Sequence, residues 1–382
     1  MTGIDRSRLP DTGVTIFTRM SALAQQTGAI NLSQGFPDFS VDPHLIDRVL
    51  VHMREGRNQY APMQGVPLLR ERIAEKVERL YGRRYDPNTE ITVTSGATEA
   101  VFCAITACLQ PADQAIVIEP AYDAYIPAIT LSHAVAVPSA MRFPGYRIDW
   151  DHVRDSISEK TRLIILNSPH NPTGTILDRS DIDALRQIVA DTRILIVSDE
   201  VYEHIVFDGR IHESMCRYPD LAERSFVISS FGKTYHATGW KIGYCLAPAP
   251  LSAEFQKIHQ FVTFSSNTPV QYALADMLEE PSTYLELGNF YQRKRDFFRS
   301  RITDSRFLPL PCEGTYFQML DYSSISDEPD VDFAVRMTRE FGVAAIPPSV
   351  FHSDRQDHRV LRFCFAKNEH TLEEATARLC RI

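Results

Sequence analysis

Seven short apolar runs punctuate the middle of the chain: Ile91–Ser95, Ala115–Ile118, Ala134–Pro138, Leu163–Asn167, Ile194–Ser198, Phe226–Ser230 and Ile242–Ala247. Several end in a small or polar residue, where a strand would run into a loop. Between many of them lie stretches with helical spacing of apolar positions, such as Thr98–Leu109 and Arg179–Asp191. Alternating strand and helix predicts an α/β layer around a largely parallel sheet. Such sheets bind ligands beyond the carboxyl ends of their strands. The residues that follow each run are therefore the ones to inspect.

The pattern differs on both sides of this core. Before it, a helical segment leads into an open loop from Asn31 to Pro43. After about Thr283, a basic helix (Tyr291 to Arg301) precedes shorter strands around Gly314–Leu320 and Val360–Phe365. The chain has 382 residues, more than one compact core usually holds. The expected division is an N-terminal arm over 1–45, a large domain over 46–282 and a smaller α+β domain over 283–382 that includes part of the arm.

Composition narrows the function classes. The formal net charge of -9 argues against nucleic acid or an anionic membrane as a partner. Met1 to Pro10 lacks the apolar core of a secretory signal. No stretch approaches the ~18 apolar residues of a membrane span. The seven cysteines form no C-x-x-C pair, and Cys103 and Cys108 fall inside an apolar helical pattern. Reduced thiols in the cytoplasm are the simplest expectation.

Five segments carry candidate chemistry. In Ser95-Gly96-Ala97-Thr98-Glu99-Ala100 a strand turns into a helix, and small residues there let backbone N–H groups approach an anion. In Glu119-Pro120-Ala121-Tyr122-Asp123-Ala124-Tyr125 an aromatic residue could lie against a planar ring. Asn167-Ser168-Pro169-His170-Asn171-Pro172-Thr173-Gly174 is a constrained turn able to hold the Asn171 amide in place. Ser198-Asp199-Glu200-Val201-Tyr202 closes a very apolar strand, where a carboxylate is costly unless a cation meets it. Ser230-Phe231-Gly232-Lys233-Thr234, followed by Gly239-Trp240-Lys241, supplies two lysines and close-approach glycines. A lysine beside a second cation has a depressed pKa and is suited to Schiff-base chemistry. Each segment taken alone also fits an ordinary turn, cap or core role. Gly232-Lys233-Thr234 is not the end of a phosphate-binding P-loop, because position 227 is Val227 instead of the required glycine. The chain has no G-x-G-x-x-G and no zinc-type histidine spacing.

In order and spacing, these segments resemble the class I/II aminotransferases, pyridoxal-phosphate enzymes of fold type I. The resemblance covers nearly the whole chain. Within the family, Ser33-Gln34-Gly35-Phe36-Pro37-Asp38-Phe39 and Asn58-Gln59-Tyr60-Ala61-Pro62 are similar to the bacterial methionine aminotransferases and the kynurenine aminotransferases. The resemblance implies a large domain with a mostly parallel seven-stranded sheet between helices, plus the smaller domain. It implies that Lys233 bonds the cofactor and then moves the proton of the substrate Cα. Asp199 would pair with the ring nitrogen, Tyr202 and Asn171 with the ring oxygen, and Tyr122 would stack on the ring. Ala97, Thr98, Ser230 and Lys241 would hold the phosphate, and Tyr60 would reach the phosphate of a neighbouring subunit in a homodimer. Arg362 would clamp the substrate carboxylate as a bidentate pair, with the backbone of Gly35 against the same group.

Two positions depart from many relatives: Gly232 stands where serine is common, and Lys241 where arginine is. Lysine binds phosphate as a point charge without the planar fork. Ser266-Asn267-Thr268-Pro269 is preceded by Phe261-Val262-Thr263-Phe264, with no cation for a second carboxylate. That implies an apolar or aromatic side-chain pocket, with Phe17, Phe36 and Phe264 as wall candidates. The expected activity moves the amino group of a neutral amino acid (methionine, or an aromatic such as phenylalanine or kynurenine) to a 2-oxo acid in a ping-pong cycle. The competing expectations are a cysteine-conjugate β-lyase on the same fold and a non-catalytic regulatory protein that binds the cofactor.

Overall fold

The computed structural model describes residues 7–10 and 12–382. Its strands are β1 (Ile30–Asn31), β2 (Ile91–Thr94), β3 (Gln114–Glu119), β4 (Val135–Ala140), β5 (Thr161–Asn167), β6 (Leu195–Asp199), β7 (Ser225–Ser230), β8 (Gly243–Leu246), β9 (Leu308–Pro309), β10 (Phe317–Asp321), β11 (Val343–Ala344) and β12 (Val360–Cys364). All seven apolar runs are strands of one sheet, in the order β2-β8-β7-β6-β5-β3-β4. Pairing is parallel except at β8, which runs antiparallel to both β2 and β7.

In all of these strands but the edge strand β4, which is largely exposed, the apolar runs are nearly continuous because both faces of the sheet are covered. Successive side chains on a strand point to opposite faces. Ile116, Ile118, Ile164, Leu166, Ile196 and Val227 accordingly join one core. Ala115, Val117, Leu163, Ile165, Val197 and Phe226 join the core on the other face. A third core gathers Met20 and Leu32 with residues from Leu287 to Leu379, and with Tyr202, Ile205 and Phe207.

Four helices precede or flank the site: α1 (Ile16–Thr27), α2 (Pro43–Arg54), α3 (Pro67–Tyr81) and α4 (Ala97–Cys108). α1 starts at Thr15, whose side chain accepts from the Thr18 N–H, and ends at Gly28 in the left-handed region with φ 66°. Beyond α1, β1 pairs with β11, so the early segment is built into the C-terminal part of the chain. There a three-stranded antiparallel sheet runs β12-β10-β9. Among the described residues, no helix is long and apolar enough to cross a membrane, and no cluster of His, Cys, Asp or Glu is set to hold a metal. All seven cysteines are free.

Candidate active site

The carboxyl ends of β2, β3, β5, β6 and β7 open onto one cavity of about 200 Å³. Because β8 runs the other way, its start lies at the same edge and brings Lys241 and Ile242 with it. Ala97, Thr98, Tyr122, Asn171, Asp199, Tyr202, Ser230, Lys233 and Lys241 all line this cavity. Nine expected site residues from six separate stretches of chain thus meet where the sheet topology predicts a ligand.

At one end is an anion cradle. Gly96 precedes α4 with φ 78°, a value that favours glycine. A Cβ there would lie 3.2 Å from Lys241 Nζ. The ammonium of Lys241 is therefore pressed against the N-terminal turn of α4, and helix dipole and cation act on the same space. Gly243 allows the close packing behind it, since a Cβ would come within 2.9 Å of the Ala97 nitrogen.

Asp199 stands deeper in the cavity. It is 5% exposed and, among the described residues, forms no ion pair. The hydroxyl of Tyr125 donates to Oδ2 at 2.6 Å, and the Val201 N–H donates to Oδ1 at 3.3 Å. Burial pushes the carboxyl up to about 6, against the pull of the Tyr125 hydrogen bond and of nearby Lys233. A buried acid in this state lacks a cation, and a protonated pyridine nitrogen is one.

Burial likewise lowers the Lys233 ammonium to about 8. Nζ donates to the Tyr316 hydroxyl at 2.9 Å and to the Gly35 carbonyl at 3.3 Å. It lies 5.4 Å from the centroid of the Tyr202 ring. The lysine is thus close to deprotonation near neutral pH, as Schiff-base formation requires.

Arg362 on β12 is 1% exposed, and burial lowers its guanidinium to about 10. Nη1 donates to Asn171 Oδ1 at 2.7 Å and Nη2 to the Ser33 carbonyl at 2.8 Å. Its Nε is buried without a partner among the described residues. The guanidinium carbon lies 3.9 Å from the centroid of Phe317 and 5.2 Å from that of Phe17. The two rings pack against the cation, which reaches the cavity through Asn171, one of its lining residues.

The turn after β5 connects these parts. Asn167 accepts from the Asn171 N–H at 2.7 Å and donates to the Asp199 carbonyl at 2.8 Å. The chain of contacts therefore runs from the end of β6 through Asn167 and Asn171 to Arg362.

Other expected residues lie elsewhere. Phe36 is 41% exposed and has Lys367 Nζ over its ring at 4.7 Å. Tyr60 and Phe264 touch edge to face at 5.6 Å, but on the surface and outside the cavity, at 84% and 45% exposure. Sequence reasoning missed Tyr125, Asn167, Tyr316 and Phe317. Tyr125 follows Tyr122 by three, the spacing of one helical turn, and that was the one available signal. Tyr316 and Phe317 carried none, because only the packing of β10 against β12 brings them to the site.

The residues present fit pyridoxal phosphate: an anion cradle, a near-neutral lysine and an unpaired buried acid line a single cavity. The family model described as Aminotransferase class I and II matches residues 27–379. The chain belongs to this family and is a pyridoxal-phosphate-dependent aminotransferase of fold type I. It is 54% identical to the methionine aminotransferase of Escherichia coli (strain K12), over 98% of each chain. A crystal structure of a methionine aminotransferase from Escherichia coli superposes with a TM-score of 0.97 at 53% identity, covering 99% of this chain and 100% of that one. The kynurenine–oxoglutarate transaminase of Dictyostelium discoideum is 33% identical, over 97% of this chain and 94% of its own.

Proposed function

We propose that the chain transfers the amino group of a neutral amino acid, methionine or an aromatic one such as phenylalanine or kynurenine, to a 2-oxo acid in two half-reactions. The observation that carries this reading is Arg362: a buried cation over the rings of Phe317 and Phe17, with Nε unpaired among the described residues, bonded to Asn171, which lines the cavity. It offers one carboxylate a bidentate site and gives the rest of the substrate an aromatic wall. The relatives named for methionine and kynurenine support the same substrate class.

Within this reading Lys233 would bond the cofactor and then move the proton of Cα, and Asp199 would pair with the ring nitrogen. Tyr202 and the Asn171 amide would hold the ring oxygen, and Tyr122 would stack on the ring. Ala97, Thr98, Ser230 and Lys241 hold the phosphate. Arg362 and the Gly35 backbone hold the substrate carboxylate. When bound, the cofactor supplies an electron sink for the charge left on Cα.

The same reading includes a homodimer. Tyr60, Phe261, Val262 and Phe264 are large apolar side chains exposed together, and such clustering is unusual on a monomer. In a dimer Tyr60 and Phe264 would complete the cavity of the second copy. Part of the arm over 1–45 and the segment 283–382 would form the smaller domain beside the larger one over 46–282. Seven unpaired cysteines suit a cytoplasmic enzyme.

The test is spectroscopic. Purified protein should carry an absorbance band near the visible region that disappears when methionine is added and returns with a 2-oxo acid. Pyruvate and ammonia released from a cysteine conjugate without any acceptor would instead identify a β-lyase. A panel of amino donors run as half-reactions then ranks the substrates, and a preference for aspartate or glutamate would overturn the neutral-substrate assignment.

A further inference from the structure

The hydroxyl of Tyr316 stands between the lysine amine and the loop that carries Gly35. Its ring is fully buried and packs edge-on against Tyr202 at 5.1 Å and Phe317 at 4.9 Å, with Tyr291 at 5.5 Å. The oxygen is 2.6 Å from the Gly35 carbonyl and 2.9 Å from Lys233 Nζ. The loop comes this close only because residue 35 is glycine: a Cβ there would lie 2.6 Å from Phe317 Cζ.

Counting protons fixes the direction of each bond. A carbonyl oxygen only accepts, and a phenol has one hydrogen to give. Tyr316 therefore donates to Gly35 and accepts from Lys233. A neutral amine has two hydrogens. One goes to Tyr316 and the other points to the Gly35 carbonyl at 3.3 Å. The lone pair is left for the cavity, which Lys233 lines together with Asp199.

We propose that Tyr316 is a positioning residue that aims the lone pair of the free Lys233 amine at the reacting carbon. It does so by taking one N–H itself and by holding the Gly35 carbonyl where it takes the other. This rests on Lys233 being the cofactor lysine. With substrate bound and the amine free, the lone pair would face the substrate Cα. Nζ would take the proton as the Cα–H bond breaks, the electron pair would stay with carbon, and the bound cofactor would supply the sink for it. The new ammonium then carries its third hydrogen in the direction the lone pair had, ready to return it. The arrangement also couples the lysine to the substrate clamp, since Gly35 belongs to the loop whose Ser33 carbonyl binds Arg362.

The test is Tyr316→Phe, which keeps the ring and removes the hydroxyl. With methionine the half-reaction rate should fall about 10- to 100-fold, as expected for a misplaced reacting group. KM should change little. Methionine deuterated at Cα should show a larger isotope effect than with the wild type. A second readout needs no turnover: the rate at which the apoenzyme amine bonds pyridoxal, followed by absorbance against pH. Asp199, Arg362, Lys241, Cys364 and Tyr202 face the amine and stay in place in the variant. A downward shift of that profile therefore reports loss of the acceptor oxygen. Melting temperature and cofactor content serve as controls for folding. A well-folded variant with wild-type half-reaction rate, isotope effect and pH profile overturns the proposal. Persistence of a borohydride-reducible chromophore in Lys233→Ala overturns both the lysine assignment and the proposal, whereas an unaffected Tyr316→Phe beside an inactive Lys233→Ala overturns the proposal alone.

Discussion

Asn171 Oδ1 accepts a 2.7 Å hydrogen bond from Arg362 Nη1, although 191 positions separate the two residues. The bond joins the turn after β5 to strand β12 and sets the guanidinium before any substrate arrives. Such preorganisation removes an ordering cost from binding. It also leaves the Asn171 side-chain N–H₂ group free to face the cavity.

Replacing Arg362 with alanine should raise KM for the amino acid about 100-fold or more, since charged hydrogen bonds contribute about 1.5–3 kcal/mol each. The cofactor should stay bound, because its holding groups lie on other elements. Arg362→Lys should recover only part of the loss, as lysine lacks the planar fork. Steady-state kinetics with methionine, combined with the absorbance of the purified variant, checks both points. Loss of cofactor from Arg362→Ala would mark the residue as structural.

Lys233→Ala should lower turnover by several orders of magnitude while the protein folds and still binds pyridoxal phosphate non-covalently. Single-turnover absorbance with a stoichiometric amino acid measures this. Normal turnover in the variant would remove Lys233 from the chemistry.

Cofactor affinity should fall as pH drops through about 6. Burial has raised the Asp199 carboxyl to that value, so below it the acid is neutral and has no charge to offer a cationic ring nitrogen. Tyr125→Phe removes a hydrogen bond that favours the anion and so raises the Asp199 pKa further. At about 1.5–3 kcal/mol for that bond and about 1.36 kcal/mol per pH unit, the midpoint should move up by about one to two units. Titrations of the apoenzyme with pyridoxal phosphate between pH 5 and 8 measure the shift. Superimposable profiles for the two proteins would contradict it.

The surface position of Tyr60 makes a complementation experiment decisive. If the sites are shared in a dimer, a Tyr60→Ala subunit and a Lys233→Ala subunit should each be defective alone. In a mixed dimer, one of the two sites has both Lys233 and the neighbour's Tyr60 intact. Mixing the two after mild dissociation should restore activity at limiting cofactor. No recovery in a demonstrated heterodimer would mean that Tyr60 serves its own subunit or none.

Behind the cavity, Lys76 and Glu203 form a buried pair at 2.7 Å, 2% and 4% exposed. The carboxylate also accepts from Tyr81 at 2.6 Å, Ser229 at 2.6 Å and Tyr244 at 3.1 Å. Burial pushes the Glu203 carboxyl up, but Lys76, His204 and Ser229 more than reverse this and hold it well below the ordinary range. Lys76→Met leaves the carboxylate without its cation and should cost about 3–5 kcal/mol of stability. Denaturant unfolding measures it, and a variant as stable as the parent would show that the pair carries no net weight.

Much of this was legible in the chain itself. The seven apolar runs match the strands to within two residues at each end; for all but the edge strand β4 the reason is that strands covered on both faces leave an unbroken apolar signature. Asp199, Asn171, Ser230 and Lys233 were legible as candidates because they end those strands or stand in the turns just beyond them. Tyr316 and Phe317 were not, since they sit at the buried start of β10, whose contacts are set by distant residues. Tyr60 and Phe264 are the opposite case: the motif names them, but the single chain leaves them on its surface.

By itself the sequence determined the order of strands and helices and the ends of strands where chemistry could sit, because burial pattern and turn chemistry are local. Only the tertiary structure decided that β8 runs backwards and carries Lys241 to the α4 N-terminus, that Tyr125 holds Asp199, and that Tyr316 takes a hydrogen of Lys233. Those relations depend on packing between segments far apart in the chain, and no local pattern encodes a distance.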